Sequence, residues 1–251
     1  AYASLTAYDE LDRPVKTTDP EGNISQVEYS IDTDAFGKIA LKEKVSIPNG
    51  NQTIISETYK DASGNVTTTS NYNNGQRINT KFSYNAIGEL LNYADVGGST
   101  TVYTYDLIGR KVTISHPDNG VTNYKYDKSN NLTEMVTANL KSAGTADSKI
   151  TYTYSYNRLT EVNYPKVNGV NNLLNVKYTY GSNKETDVNA RGKLVSITDA
   201  TGSQSFEYGK MGEVIKNTRI INTPKPGEPQ RRFVTQYKYD CWNRIQNITY
   251  P

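Results

Sequence analysis

Tyr103-Thr-Tyr105-Asp106-Leu-Ile-Gly109-Arg110-Lys-Val112, continued by Thr-Ile114-Ser-His116-Pro117-Asp-Asn-Gly120, carries the architecture of the whole chain in miniature. It reads as strand, tight turn, strand, tight turn. Tyr105 and Asp106 close the first strand, whose residues alternate across a pleat, and Asp106 can hydrogen-bond the turn backbone while Gly109 takes a positive φ. Asp in the first turn position and Gly in the fourth is the type I preference, and a left-handed Gly there makes the bulged hairpin that suits twisted strands.

Much of the sequence is an imperfect copy of this phrase. Tyr8-Asp9, Tyr84-Asn85-Ala-Ile-Gly88, Tyr126-Asp127-Lys-Ser-Asn130 and Tyr239-Asp240-Cys-Trp-Asn243 repeat the turn, and Tyr84, Tyr105 and Tyr126 follow one another at 21-residue steps. Between them lie other turns, such as Asp19-Pro20-Glu21-Gly22-Asn23 and Asn73-Asn74-Gly75. Gly192, Gly202 and Gly212 continue the phrase at steps of ten. A fixed period of two strands and two turns predicts an all-β antiparallel meander of short hairpins in a curved or spiralling sheet, of at most about two dozen strands. Successive turns then fall at opposite ends of the strands, so the Tyr-Asp turns line one rim and the Asp-Pro-type turns the other. The expectation is one domain over 1–251, with irregular segments or loop insertions near 30–58, 139–149, 165–172 and 219–232. No segment longer than a turn has helical apolar periodicity.

The bulk numbers agree with a wet sheet. Mean hydropathy is −0.71 and hydrophobic content 35%, low for a thick aliphatic core, yet there are 21 Tyr. Tyr buries a large ring while keeping a hydroxyl for a partner or water. The formal net charge of +2 removes the electrostatic case for nucleic acid or an anionic membrane. No apolar run approaches the ~20 residues of a membrane helix, and no basic-then-apolar leader opens the chain. One cysteine, Cys241, excludes an internal disulfide framework.

Catalytic constellations are sparse. His116 is the single histidine, so a Ser-His-Asp or Cys-His scheme must use it, and it stands before Pro117 in a turn. Cys241 has no activating cation evident in the sequence. Asp32-Thr-Asp34 has two spacings of a calcium loop without the rest, which makes an irregular turn the better reading. Asp9, Asp19, Asp106, Asp127, Asp199 and Asp240 sit at turn positions that explain them without a glycosidase-type pair. The reading is therefore non-enzymatic, with no cofactor and no metal. Tyr-x-Tyr pairs (103/105, 124/126, 152/154, 178/180 and 237/239) place rings on one face, as sheet-packing ladders or as a platform facing a sugar or a guest chain.

Tyr105-Asp106-Leu-Ile-Gly109-Arg110, its variants at Tyr8, Tyr84, Tyr126 and Tyr239, and Asp19-Pro-Glu-Gly22-Asn23 resemble the RHS/YD-repeat proteins over nearly the whole chain. The resemblance implies a hollow β-shell, as in bacterial polymorphic toxins, the Tc toxin cocoon and teneurins. No shell-closing Asp-Pro-Leu-Gly segment or self-cleaving aspartate pair is present, which implies an internal segment. The implied role is enclosure of a guest polypeptide by a secreted or cell-surface protein, partnered by the remainder of a larger chain. The alternative is an adhesion or carbohydrate-binding module that uses the tyrosine ladders and rim loops to hold a glycan. Raw sheet edges would also favour self-association through a terminal strand.

Overall fold

The computed structural model describes residues 3–50, 52–73, 75–143, 148–166, 174–184, 189–222 and 229–251. Twenty strands account for most of them, with one five-residue helix, α1 (Ala138–Ser142). Contacts divide the chain into two compact units, Ala1–Val121 and Thr122–Pro251.

The first unit runs β1 (Leu5–Tyr8), β2 (Pro14–Thr18), β3 (Ile24–Thr33), β4 (Ile39–Asn49), β5 (Gln52–Lys60), β6 (Val66–Asn73), β7 (Gln76–Tyr84), β8 (Leu90–Ala94), β9 (Thr100–Tyr105) and β10 (Lys111–His116). Each strand pairs antiparallel with its neighbour in the chain. The second unit contains most of β11 (Gly120–Tyr126), then β12 (Leu132–Val136), β13 (Ile150–Ser155), β14 (Arg158–Asn163), β15 (Val176–Tyr180), β16 (Leu194–Asp199), β17 (Gly202–Tyr208), β18 (Val214–Ile221), β19 (Arg231–Tyr239) and β20 (Ile245–Thr249), and its ladder is built the same way. The chain is an all-β antiparallel meander.

The turn at Asp106 is closed by backbone and side-chain hydrogen bonds. The Asp106 N–H donates to the Arg110 carbonyl (2.9 Å) and the Gly109 N–H to the Asp106 carbonyl (3.1 Å). Asp106 Oδ1 accepts from the N–H groups of Ile108 and Arg110, and Oδ2 accepts from Arg110 Nε at 2.7 Å. Gly109 sits at φ 82°. The same bonds close the turns at Asp9, Asp19, Asp61 and Asp127, where the second oxygen is taken by Arg13, Asn23, Asn65 and Asn131. Asp240 repeats the Arg version with Arg244. At Asn85 the chemistry is inverted: the amide donates and Glu89 accepts. Where the fourth position lacks Gly, Asp12, Asn130 and Asn243 take the positive φ, as short polar side chains can.

Turns of the Tyr-Asp kind also shift the strand register by one residue, as between Ala7 and Tyr8, Ser83 and Tyr84, Lys125 and Tyr126, and Lys238 and Tyr239. The opposite ends, β2–β3, β4–β5, β6–β7, β8–β9, β16–β17 and β18–β19, pair without a slip. A bulge bends its strand and raises local twist, so curvature is concentrated at one end of each hairpin.

Three expectations change. Residues 30–58, expected to be irregular, belong to long strands, β3, β4 and β5, the first two of them the longest among the described residues. Two things hid them. The Asp34-Ala-Phe-Gly37-Lys38 turn is a full member of the set, but Thr33 stands where the tyrosine belongs. Pro48 is tolerated because it pairs with Thr53 of β5 and lies beyond the β3 ladder, which ends at Ser46. The segment 219–232 is mostly strand, leaving a connection of 222–230, whose residues 223–228 lie outside the described ones. In 139–149 the chain opens with α1, capped by the Thr137 hydroxyl; residues 144–147, and 167–173 of the 165–172 insertion, lie outside the described residues.

Gly64 tests the turn. It sits at φ 84° with open space where a Cβ would project, so only backbone conformation is at stake. Gly64→Val is expected to lower unfolding free energy by about 1–2 kcal/mol in urea titration, while Gly64→Asn stays close to the parent.

Candidate functional site

The packed interior is thin. Tyr59, Ala40 and Val162 are the buried hydrophobic residues among those described, while Glu57, Thr68, Ser70 and Thr218 are buried polar ones. Cohesion has to come from elsewhere, and the repeat tyrosines supply part of it. Several send their hydroxyls back to the hairpin before them. Tyr84 Oη donates to the Val66 carbonyl (3.0 Å), Tyr105 to Leu90 (2.9 Å) and Tyr29 to Pro14 (3.2 Å). In the second unit Tyr180 donates to Leu159 (2.9 Å), Tyr208 to Leu194 (2.6 Å) and Tyr239 to Val214 (3.0 Å). Every acceptor lies in the first two residues of the strand that follows an earlier turn of this rim. Burial pushes the phenols of Tyr84, Tyr105 and Tyr208 above their ordinary range, which keeps them as donors.

The Tyr-x-Tyr pairs do not stack on tyrosines of the next strand. Tyr124 and Tyr126 face Met135 and Leu132; Tyr152 and Tyr154 face Val162 and Leu159; Tyr178 and Tyr180 face Ile197 and Leu194; Tyr237 and Tyr239 face Ile248 and Ile245. Tyr103 faces Ile114. Ring-on-aliphatic pairs of this kind are the ordinary unit of sheet stabilisation. Phe82 and Tyr93 do meet as a tilted aromatic pair, centroids 5.5 Å apart.

The most enclosed cluster has no counterpart among the sequence expectations. Glu57 on β5 is 4% exposed and is bonded by Lys42 Nζ (2.9 Å), Arg77 Nη2 (3.2 Å), Tyr59 Oη (3.1 Å) and Tyr72 Oη (3.1 Å). Lys42 also reaches Asp32 (3.1 Å), and Arg77 donates to Tyr59 Oη (2.7 Å). Burial pushes the Glu57 carboxyl upward, but the bonds from Lys42 and Tyr72 outweigh it and hold the group below its ordinary value. Burial likewise works against charge on Lys42, and its bonds to Glu57 and Asp32 overcome that and raise it. The carboxylate is spent on these partners, so this is a cross-strand clamp over β3–β7. The signal was present as alternating Glu57, Tyr59 and Thr68, Ser70, Tyr72, obscured because the charges lie outside the repeat phrase.

Asp32 engages Lys42 and the Thr33 N–H, and Asp34 builds its own turn, so these two do not form a calcium loop. Among the described residues no group of three or more His, Cys, Asp or Glu is placed to hold a metal. His116 Nδ1 accepts from the N–H groups of Asp118 (3.1 Å) and Asn119 (3.3 Å), doing for its turn what Asp does elsewhere. Cys241 is exposed within the Asp240 turn. The turn carboxylates are spent structurally. The Arg13 side chain at Asp9, and the Asn23 and Asn65 amides at Asp19 and Asp61, hold those carboxyls below the ordinary range. At Asp106 burial pushes the other way and the Arg110 bonds prevail. Gly202 (φ 147°) lies against the Ile220 carbonyl, and Gly212 (φ 88°) closes the Gly209 turn.

Gly192 belongs to a distorted turn. Gly181 takes the Asp position, donating to the Lys193 carbonyl (2.9 Å) and accepting from the Gly192 N–H (2.9 Å). The sequence between them is an insertion within the turn.

A family model described as "Teneurin YD-shell" matches residues 13–158, more than half the chain. The chain belongs to the Teneurin YD-shell family. No curated protein matches this YD-shell chain by sequence. Among solved structures, that of a Photorhabdus luminescens Tc holotoxin pore in a TccC3 mutant is similar at TM-score 0.72 and 15% identity, over 99% of this chain. The TcdB2-TccC3-Cdc42 structure is similar at TM-score 0.70 and 16% identity, over the full chain. In both cases the YD-shell chain spans 13% of the matched chain's length. At that identity the likeness is one of fold.

Two measurements probe these contacts. Tyr84→Phe leaves the Val66 carbonyl without its donor and is expected to cost about 0.5–1.5 kcal/mol in denaturant unfolding. Lys42→Met strips one cation from buried Glu57 and is expected to cost about 1–3 kcal/mol, largely recovered by adding Glu57→Leu. Because Glu57 is held below its unfolded value of 4.5, its share of stability is present above that pH and fades as pH falls below it. Glu57→Gln should therefore flatten the acid limb of a stability–pH curve.

Proposed function

We propose that this chain is a wall segment of a secreted or extracellular YD-shell, enclosing a polypeptide contributed by the rest of a larger protein. The supporting observation is the phased turn array itself: many of its hairpins are locked to an earlier one by a tyrosine hydroxyl, an arrangement that extends along the array without needing a core of its own. A wall built in this way presents two broad faces and two rims. In the second unit the face of Tyr124, Tyr126, Tyr152, Tyr154, Tyr178 and Tyr180 is half-buried by its own neighbours, whereas Lys125, Thr153, Lys177 and Thr179 on the other face are exposed. The carboxylates and the histidine are engaged in turns, which supports a non-enzymatic role. No helix among the described residues is long and apolar enough to cross a membrane.

Site-specific photocrosslinking tests this. A benzophenone amino acid is placed at Thr153 or Thr179 on one face, and at Tyr152 or Tyr178 on the other, in the intact protein that contains this segment. Enclosure predicts crosslinks from one face only to a polypeptide outside the shell strands. Equal capture from both faces, or none from either, would overturn the reading.

A further inference from the structure

The turns led by Asp share a place for a second donor. Oδ1 closes the turn backbone, and Oδ2 is answered from four residues on. Arg13, Arg110 and Arg244 do this at 2.7 Å, and the Asn65 and Asn131 amides do it at Asp61 and Asp127. The Asp34 turn keeps the first half of the arrangement and lacks the second. Its Oδ1 accepts from the N–H groups of Phe36 and Lys38, both at 2.9 Å. Lys38 holds the donor position, but its side chain lies exposed, and Oδ2 has no hydrogen-bond partner.

Asp34 is only 6% exposed. Burial pushes its carboxyl upward, while the Lys38 N–H and the neighbouring Thr67 hydroxyl outweigh that and hold it below the ordinary range. The Thr67 hydroxyl itself donates to the Tyr59 carbonyl (3.5 Å), so no bond to Oδ2 is completed. A charged carboxylate is thus buried with one oxygen unanswered. It stands in the wall of a cavity of about 660 Å³, a size suited to a small molecule. The cavity lies among three successive turns of the Tyr-Asp rim, at Asp34, Asp61 and Asn85, and its lining consists of described residues of the first unit. The other two turns are complete: Asn65 donates to Asp61 Oδ2, and the Asn85 amide donates to Glu89. The incomplete turn carries Phe36 near its apex, exposed and also part of the lining. Lys81 lies 5.5 Å from the centre of that ring, so two cations are near and neither answers Oδ2.

We propose that this cavity binds a small organic ammonium ion, its charged group paired with Asp34 and its apolar body beside Phe36. A buried carboxylate is costly unless a cation or several donors compensate it, and at three other turns a guanidinium does so. A ligand ammonium supplies the missing partner through a charge-assisted hydrogen bond. Because Oδ2 is covered, binding includes a rotation of the exposed Phe36 ring away from the carboxylate. Departures from a local rule concentrate where a site has been built, and this departure borders a cavity. The ammonium belongs either to a free amine or to a lysine side chain of a peptide, and the proposal does not depend on enclosure of a guest.

Titration of the chain by calorimetry or NMR tests this, with phenethylammonium, Nα-acetyl-lysine methylamide and neutral phenethyl alcohol as probes. One or both cations should bind, and the tighter of the two identifies a free aryl amine or a peptide lysine as the source. Phenethyl alcohol should bind at least about tenfold more weakly. Asp34→Asn keeps the acceptor that closes the turn, as Asn85 does in its own, and should weaken binding at least about tenfold. Lys38→Arg places a guanidinium where Arg13, Arg110 and Arg244 stand. It should occupy Oδ2, raise the Tm and block the ligand to a similar extent. Asp19→Asn, at a turn of the opposite rim, should leave binding unchanged. Thermal unfolding checks each variant, and if Asp34→Asn unfolds, Lys38→Arg alone decides. Binding of neither cation at about 10 mM would overturn the proposal. So would equal binding of phenethyl alcohol, or undiminished binding by the folded Asp34→Asn and Lys38→Arg variants.

Discussion

A tyrosine hydroxyl donating to a backbone carbonyl one hairpin back is the contact on which this sheet depends. An antiparallel meander already pairs neighbouring strands through its ladder, but a ladder alone leaves each hairpin free to twist against the next. The Tyr84–Val66, Tyr105–Leu90, Tyr180–Leu159, Tyr208–Leu194 and Tyr239–Val214 bonds tie the rim end of one hairpin to the rim end of an earlier one. Burial of the ring against an aliphatic partner, such as Leu90 opposite Tyr84 or Leu132 opposite Tyr126, supplies the hydrophobic part of the same contact. Stability then accrues from nearest-neighbour interfaces, as in other repeat architectures, and the chain manages with very few buried hydrophobic residues.

That contact also accounts for the asymmetry between the two ends of the strands. At the Tyr-Asp end the tyrosine must stand at a fixed height to reach its acceptor, and most of the turns that follow share the closing hydrogen bonds, a positive φ and a one-residue slip, although the Asp34 turn between β3 and β4 has no slip. At the other end length is free to vary. The connections containing α1, those around 164–175 and those around 222–230 all fall there. The 181–193 turn shows what the constrained rim tolerates: extra residues enter while the closing bonds at Gly181, Gly192 and Lys193 are kept.

The turn chemistry was legible from single residues because Asp and Gly at fixed spacing have few other uses, and the period converted those turns into a fold. What the sequence concealed was long-range. The β3–β5 region lost its marks when Thr33 replaced a tyrosine and Pro48 sat where a central strand would forbid it, and only the register shows that Pro48 overhangs the β3 ladder. Glu57 could not be recognised as buried, since its partners Lys42, Tyr72 and Arg77 come from three other strands. The tyrosines read as a ladder of rings; the register instead interleaves them with aliphatic strands.

The Glu57 clamp shows why a wet sheet admits so much buried polarity. Desolvating a carboxylate is costly unless its partners compensate, and here Lys42, Arg77, Tyr59 and Tyr72 close around it across β4 to β7. The network crosses these strands obliquely, from Lys42, four residues into β4, to Arg77, the second residue of β7. It therefore ties several neighbouring strands in register at once. Apolar residues of similar volume would bind the strands as firmly, but a two-residue slip, which keeps the same face inward, would cost them little, whereas it would leave Glu57 buried without its cations. Register, more than raw stability, is what the buried charge secures.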